Sequence, residues 1–153
     1  MPNCYLSADA TCFDKSTQIT LVDNSTKSID KMEVGDIIMA YDTLTHKLDT
    51  AVVMGLHKHD VPNIKLVQMT FNENIDLKIN CTKNHPFRTA KNEWVEARDL
   101  MVGDTLYILN ALGTEMKEVT IKSMDESEPV RQVFNISTSN KNYFANGVLV
   151  HNK

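Results

Sequence analysis

No stretch of this chain comes near the ~18–20 consecutive apolar residues that a membrane-spanning helix needs, so the sequence offers no candidate span. The first residues lack the apolar core of a secretory signal. Basic residues are scattered among 16 Lys and Arg against 20 Asp and Glu, a formal charge of -4, with no run that would make a patch. Neither nucleic acid nor a membrane surface is therefore expected as a partner. Cysteine is scarce. Cys4, Cys12 and Cys81 are an odd number, which argues against a disulfide framework and for a reducing, cytoplasmic compartment. There is no Gly/Ser-rich or Pro-rich linker, no low-complexity segment, no phosphate loop and no Gly-x-Gly-x-x-Gly. The 153 residues are thus expected to form one monomeric domain without a cofactor.

What the chain does have is strand. Short segments rich in Val, Ile, Thr and Leu recur at 18–22, 36–41, 51–56, 64–70, 75–80, 105–109, 117–123, 132–137 and 147–151. Turn-forming pieces separate them: Asp23-Asn24-Ser25, Val61-Pro62-Asn63, Asn72-Glu73-Asn74, Glu128-Pro129 and Asn146-Gly147. This spacing predicts an all-β fold. Only 28–32 and 97–101 read as helical, and both are short. These two stretches expose a repeat. Residues 29–38 align with 97–106, both running into Val-Gly-Asp, at an offset of 68 that takes Gly35 to Gly103. The same offset lays His85-Pro86-Phe87 over Thr17-Gln18-Ile19. Two related β-units wrapped around each other are expected, each Gly supplying a backbone angle that a Cβ would resist.

Three segments can carry chemistry. Cys12 stands just before the first strand, where its thiol can attack the carbonyl of Thr11 and turn that amide into a thioester. A free thiol of pKa ~8.5 is only slightly ionised at neutral pH, so it needs help. Thr82-Lys83-Asn84-His85-Pro86 offers it. A hydroxyl and an imidazole three residues apart in a turn can converge on one carbonyl, one stabilising the oxyanion and the other shuttling a proton. An ordinary His pKa of ~6.5 suits that exchange, and Pro86 pushes His85 toward extended backbone. The last segment is a turn, a strand and His151-Asn152. The Asn152 carboxamide can attack its own backbone carbonyl, forming a succinimide and breaking the Asn152–Lys153 bond, with His151 polarising that carbonyl. Asn146-Gly147 suits a two-residue hairpin that aims this strand into the sheet.

Taken singly, each motif has a plainer reading: a core cysteine, a surface histidine, a chance His-Asn. His46, His57 and His59, with Cys81 and His85, are the residue types of a zinc site, but their spacing lacks any Cys-x-x-Cys or close His/Cys pair. Cys4 and Cys81 read first as ordinary reduced thiols; because Cys81 directly precedes the Thr82–His85 turn, the alternative is a reversible disulfide with Cys12 that silences it.

Together the three segments resemble the intein and hedgehog-type (HINT) autoprocessing family. Cys12-Phe13 to Thr17-Gln18-Ile19 is similar to its N-terminal splicing motif, Thr82-Lys83-Asn84-His85 to its Thr-x-x-His motif, and Ala145-Asn146-Gly147 through Val150-His151-Asn152 to its C-terminal motif. The resemblance implies a pseudo-two-fold, horseshoe-like all-β domain spanning 12–152, with residues 1–11 and Lys153 as flanks and no inserted endonuclease. It implies autocatalytic splicing or cleavage in cis, its own flanking polypeptides serving as substrate. Cys12 would make the thioester, Thr82 and His85 would assist, and His151 would assist Asn152. Three positions depart from the family pattern. Lys153 stands where splicing requires Cys, Ser or Thr, as in bacterial intein-like domains that cleave instead. Lys141 stands where a His is common. Asn135 replaces an Asp, keeping hydrogen-bonding capacity at the thioester but not that of a base. The competing readings are a hedgehog-like cholesterol-transfer domain, which has no use for a terminal His-Asn, a cysteine hydrolase acting in trans, and a non-catalytic β interaction domain.

Overall fold

The 68-residue repeat is carried by the backbone hydrogen bonds of the computed structural model, which describes residues 11–72 and 77–152. Gly35 donates to the Val53 carbonyl and Gly103 to that of Ile121, both at φ +98°. Asp36 N–H reaches Glu33, as Asp104 N–H reaches Met101. The Asp36 and Asp104 carboxylates accept from the amides of Glu33 and Met101 at 2.9 and 2.8 Å. Asn24 and Asn92 both adopt positive φ at equivalent turns, +68° and +62°. Each pair is one position of a duplicated unit, and the glycines stand where a side chain would be strained.

The units are built from β1 (Gln18–Thr20), β2 (Thr26–Ser28), β3 (Ile37–Asp42), β4 (Lys47–Ile64), β5 (Val67–Phe71), β6 (Lys78–Cys81), β7 (Pro86–Arg88), β8 (Trp94–Glu96), β9 (Thr105–Leu109) and β10 (Met116–Glu126). There follow β11 (Val130–Thr138), β12 (Asn142–Ala145) and β13 (Val148–His151). Single 3-10 turns at Ile29–Lys31 and Ala97–Asp99 stand where short helices were expected. One sheet runs β2-β1-β12-β13-β9-β10-β5-β6, with β7 also on β13 and β8 on β7. The other runs β11-β4-β3. The β12–β13 hairpin sits between the two units: Ile19 of β1 pairs with Ala145, and Val150 pairs with Phe87 of β7. This is the pseudo-two-fold all-β arrangement of two related units that the repeat predicts.

The core is shared by both units. Phe13, Ile19, Ile38, Met69, Phe71, Phe87, Leu106, Ile121, Ile136 and Tyr143 are among its buried members. Val148, Leu149 and Val150 are fully buried. Burial on the order of 1.5–3 kcal/mol for each such side chain anchors the segment carrying His151 and Asn152. Its hairpin turns at Asn146 and Gly147, with φ +49° and +83°, the double positive that a two-residue Asn-Gly loop requires.

Two expectations need correcting. The turn expected at Val61-Pro62-Asn63 lies inside β4, which runs unbroken to Ile64. A register shift absorbs the proline: Gln132 pairs with Asp60 and Val130 with Ile64, so Pro62, which has no N–H to give, is not asked for a ladder bond. The strand expected at 75–80 is Lys78–Cys81 in its described part; the start of that segment and most of the Asn72-Glu73-Asn74 turn lie outside the described residues. No described helix is long and apolar enough to cross a membrane.

Candidate active site

Residues 12–14 form a short extended piece clamped between the two sheets. Phe13 exchanges backbone hydrogen bonds with Phe134 of β11, both at 2.8 Å, and bridges Cys81 of β6 on its other side. Asp14 fixes the exit from this piece. One carboxylate oxygen accepts from Thr17 Oγ1 at 3.0 Å, and the other accepts from Asn80 Nδ2 at 2.8 Å. Thr11 and Cys12 are consequently buried, at 1% and 0% exposure.

Thr82 grips Cys12 at both ends. The Cys12 amide donates to Thr82 Oγ1 at 3.1 Å, and the Thr82 amide donates to the Cys12 carbonyl at 2.9 Å. That side chain therefore touches the nitrogen of the Thr11–Cys12 peptide bond itself. The His85 amide donates to the Thr82 carbonyl at 3.1 Å, closing the turn that brings the two residues together. The His85 ring lies on Phe13, with centroids 4.1 Å apart, and near Phe87 at 5.9 Å.

His85 is wholly buried, and neither of its ring nitrogens has a hydrogen-bond partner among the described residues. Burial and then the neighbouring His151 charge press its pKa down to about 3, only partly opposed by the His151 backbone. This corrects the ordinary value expected from sequence. At neutral pH the ring is uncharged, and its burial disfavours the protonated form.

His151 and Asn152 come to the same place from the other side. Because Val150 pairs antiparallel with Phe87, the chain beyond Val150 runs back past His85. His151 packs on the edge of Trp94 at 5.0 Å, and Arg88 covers the same indole at 5.1 Å. Asn152 is held by the turn after β11. Its amide N–H donates to the Lys141 carbonyl at 2.9 Å; with the carboxamide turned to match its neighbours' donors and acceptors, its nitrogen donates to the same carbonyl at 2.5 Å and its oxygen accepts from the Thr138 N–H at 2.7 Å. Lys141 takes φ +68° to present that carbonyl.

Asn135 completes the N-terminal side. Its Nδ2 donates to Thr11 Oγ1 at 3.2 Å, and its Oδ1 accepts from Tyr143 Oη at 2.7 Å and from the Ile136 amide at 2.8 Å.

The six residues singled out in the sequence thus fall into two groups: Cys12, Thr82, His85 and Asn135 about the Thr11–Cys12 peptide bond, and His151 and Asn152 at the end of β13, which runs back past His85. Lys153 and residues 1–10 lie outside the described residues. The alternative, a Cys12–Cys81 bridge, is absent. Cys12 is disulfide-bonded, whereas Cys81 is a free, buried thiol pushed well up by burial and then by the Asp14 charge. Sequence reasoning missed Phe13, Tyr143, Trp94 and the backbone groups of Thr138 and Lys141. The first three look like ordinary core aromatics, and a backbone carbonyl leaves no residue signature. Of the histidines weighed for zinc, His57 Nε2 is within 2.7 Å of Ser137 Oγ and His46 Nδ1 within 3.1 Å of Tyr41 Oη. Among the described residues no three His, Cys, Asp or Glu gather as a metal would require.

Comparison with known proteins agrees with this architecture. The profile of the pretoxin HINT domain family matches residues 19–153. A DnaB intein from Synechocystis superposes with a TM-score of 0.81 at 20% identity, covering 94% of this chain and 99% of that one. A bacterial intein-like domain from Clostridium thermocellum superposes with a TM-score of 0.75 at 24% identity, covering 92% and 98%. At these identities the likeness is one of fold. The DNA-directed RNA polymerase III subunit rpc2 of Dictyostelium discoideum is 24% identical over 105 residues, which is 65% of this chain and 6% of that protein.

Proposed function

The chain belongs to the pretoxin HINT domain family, and we propose that it is a self-processing domain, monomeric and without a cofactor, that cleaves the peptide bonds bounding 12–152. The observation that carries this reading is the hydrogen bond from the Cys12 amide to Thr82 Oγ1, with His85 in the same turn.

In the first step the Cys12 thiol, freed from its disulfide by a reductant, attacks the Thr11 carbonyl carbon as it gives up its proton. The C–N bond of Thr11–Cys12 breaks, a thioester forms, and the Cys12 nitrogen leaves as an amine. Neutral His85 relays the thiol proton to that nitrogen within the step, its burial disfavouring a resting imidazolium; a positioned group of this kind is worth ~10²–10⁴ in rate. Thr82 holds the scissile amide in register while its nitrogen changes geometry, and position supplies much of the barrier reduction in such intramolecular steps.

In the second step the Asn152 Nδ2 attacks its own backbone carbonyl and the Asn152–Lys153 bond breaks. The Lys141 carbonyl draws the amide proton outward while the Thr138 N–H stabilises charge on the amide oxygen. Together they polarise the carboxamide toward its nucleophilic form. His151 faces the same end and assists the departing amine. Lys153 carries no thiol or hydroxyl to take the acyl group, so release of both flanks is favoured over joining them.

The test is the intact mass of a precursor with foreign domains on both sides, incubated at neutral pH with a reductant, beside Cys12→Ala and Asn152→Ala. Two separate releases, one lost in each variant, support cleavage. Joined flanks mean splicing despite Lys153. A precursor intact in every tube rejects self-processing.

A further inference from the structure

Thr11 lies on the substrate side of the first scissile bond, yet its side chain is buried and hydrogen-bonded, at 1% exposure. Its partner, Asn135, is not free to choose how it bonds. The Asn135 oxygen already takes two donors, Tyr143 Oη and the Ile136 amide. The Tyr143 phenol is fully buried, and burial, with Cys81 beside it, pushes its pKa up, so it keeps its proton. Turning the Asn135 amide over would set its NH2 against the Ile136 N–H, which can only donate, although the Tyr143 hydroxyl could then accept. The nitrogen must therefore face residue 11, and a donor there needs an acceptor opposite.

We propose that Asn135, locked in orientation by the Ile136 amide and braced by the Tyr143 hydroxyl, is a specificity determinant that selects a β-hydroxy residue, Thr or Ser, immediately before Cys12. Tyr143 is a positioning residue in this device. An isosteric Val at position 11 has the right shape but leaves the Asn135 nitrogen buried without an acceptor. Sites that read a hydroxyl reject analogues lacking one more strongly than apolar pockets reject a missing methyl.

The inference rests on the self-processing reading, and two arms keep their failures apart. In the first, reduced precursors carry Thr, Ser or Val at position 11, in the parent, Asn135→Ala and Tyr143→Phe backgrounds. Release at Cys12 is timed by intact mass, and release at Asn152 serves as an internal control for folding. Thr11 and Thr11→Ser are expected to react alike, and Thr11→Val roughly 10–100-fold slower, with release at Asn152 unchanged. The Thr/Val ratio should fall to about 1 in Asn135→Ala and shrink in Tyr143→Phe; a merely structural role for either residue would slow all substrates and leave that ratio alone. Should Asn135→Ala not fold, Tyr143→Phe carries the comparison. Equal rates for Thr and Val, or a ratio indifferent to both variants, overturn the proposal.

The second arm needs no catalysis. In the uncleavable Cys12→Ala chain, melting temperatures of Thr11→Val, Asn135→Ala and the double variant form a cycle. Strong non-additivity supports the contact. If no precursor cleaves, the self-processing reading fails by itself, and additive melting shifts in the cycle then reject the hydroxyl-reading role as well.

Discussion

Thr17 and His85 occupy one position of the duplicated unit: both are fully buried, and their carbonyls accept from the Ile29 and Ala97 amides at 2.8 and 2.9 Å. The first copy shows that this position folds around a threonine. The second carries an imidazole that the fold does not require. His85→Thr is therefore expected to fold, with a loss of at most a few kcal/mol from the space left beside Phe13. Release at Cys12 should fall by about 10²–10⁴. Circular dichroism and intact mass check the two halves; a folded variant that cleaves at the parent's rate would remove His85 from the chemistry.

The same histidine predicts a pH dependence. Its folded pKa is about 3, whereas in the unfolded chain it titrates near ~6.5. Between those values the unfolded state binds the proton and the folded state does not. Stability on this account is intact above about 6.5 and is lost as pH falls toward 3, by up to about 1.4 kcal/mol per pH unit. Urea midpoints at pH 7, 5.5 and 4 should drop more steeply for the parent than for His85→Thr. Parallel curves contradict a buried neutral imidazole.

Cys12 is disulfide-bonded, so its sulfur is unavailable until reduced. Release at Cys12 is expected only after treatment with a phosphine reductant, which reduces without itself attacking a thioester. Release at Asn152 needs no thiol and should proceed either way. Because Cys81 is free, Cys81→Ser should leave the reductant requirement unchanged. Processing at Cys12 at full rate without reductant would contradict this.

At the other end the Lys141 carbonyl is held on Asn152 by a left-handed backbone. Lys141→Gly should be at least as stable as the parent, by up to about 1 kcal/mol, and keep release at Asn152. Lys141→Val, a β-branched residue at positive φ, should cost about 1–2 kcal/mol and slow that release specifically. Equal release rates for the two variants would show that the carbonyl is not needed.

Much of this was legible in the chain because it rests on side-chain identity and spacing. Val34-Gly35-Asp36 and Val102-Gly103-Asp104 announced the duplication, and Cys12, Thr82, His85 and Asn152 marked the residues of the proposed site. What stayed hidden works through burial or backbone. The depressed pKa of His85 comes from its packing on Phe13 and its nearness to His151, which only the fold sets. The grip on Asn152 is made by peptide groups of Thr138 and Lys141. Strands of three or four residues, such as β7 and β12, are too short to show alternation. Pro62 reads as a break until the bulge that accommodates it is seen.

The central claim is that Cys12 converts the Thr11 carbonyl to a thioester, and capture of that acyl group tests it most directly. A reduced Asn152→Ala precursor, blocked at its second junction, is incubated with a small sulfonate thiol and the released N-terminal fragment is weighed. The account predicts a fragment ending at Thr11 and carrying the added thiol as a thioester, absent from Cys12→Ala. A fragment that ends elsewhere, or the same release from Cys12→Ala, contradicts it.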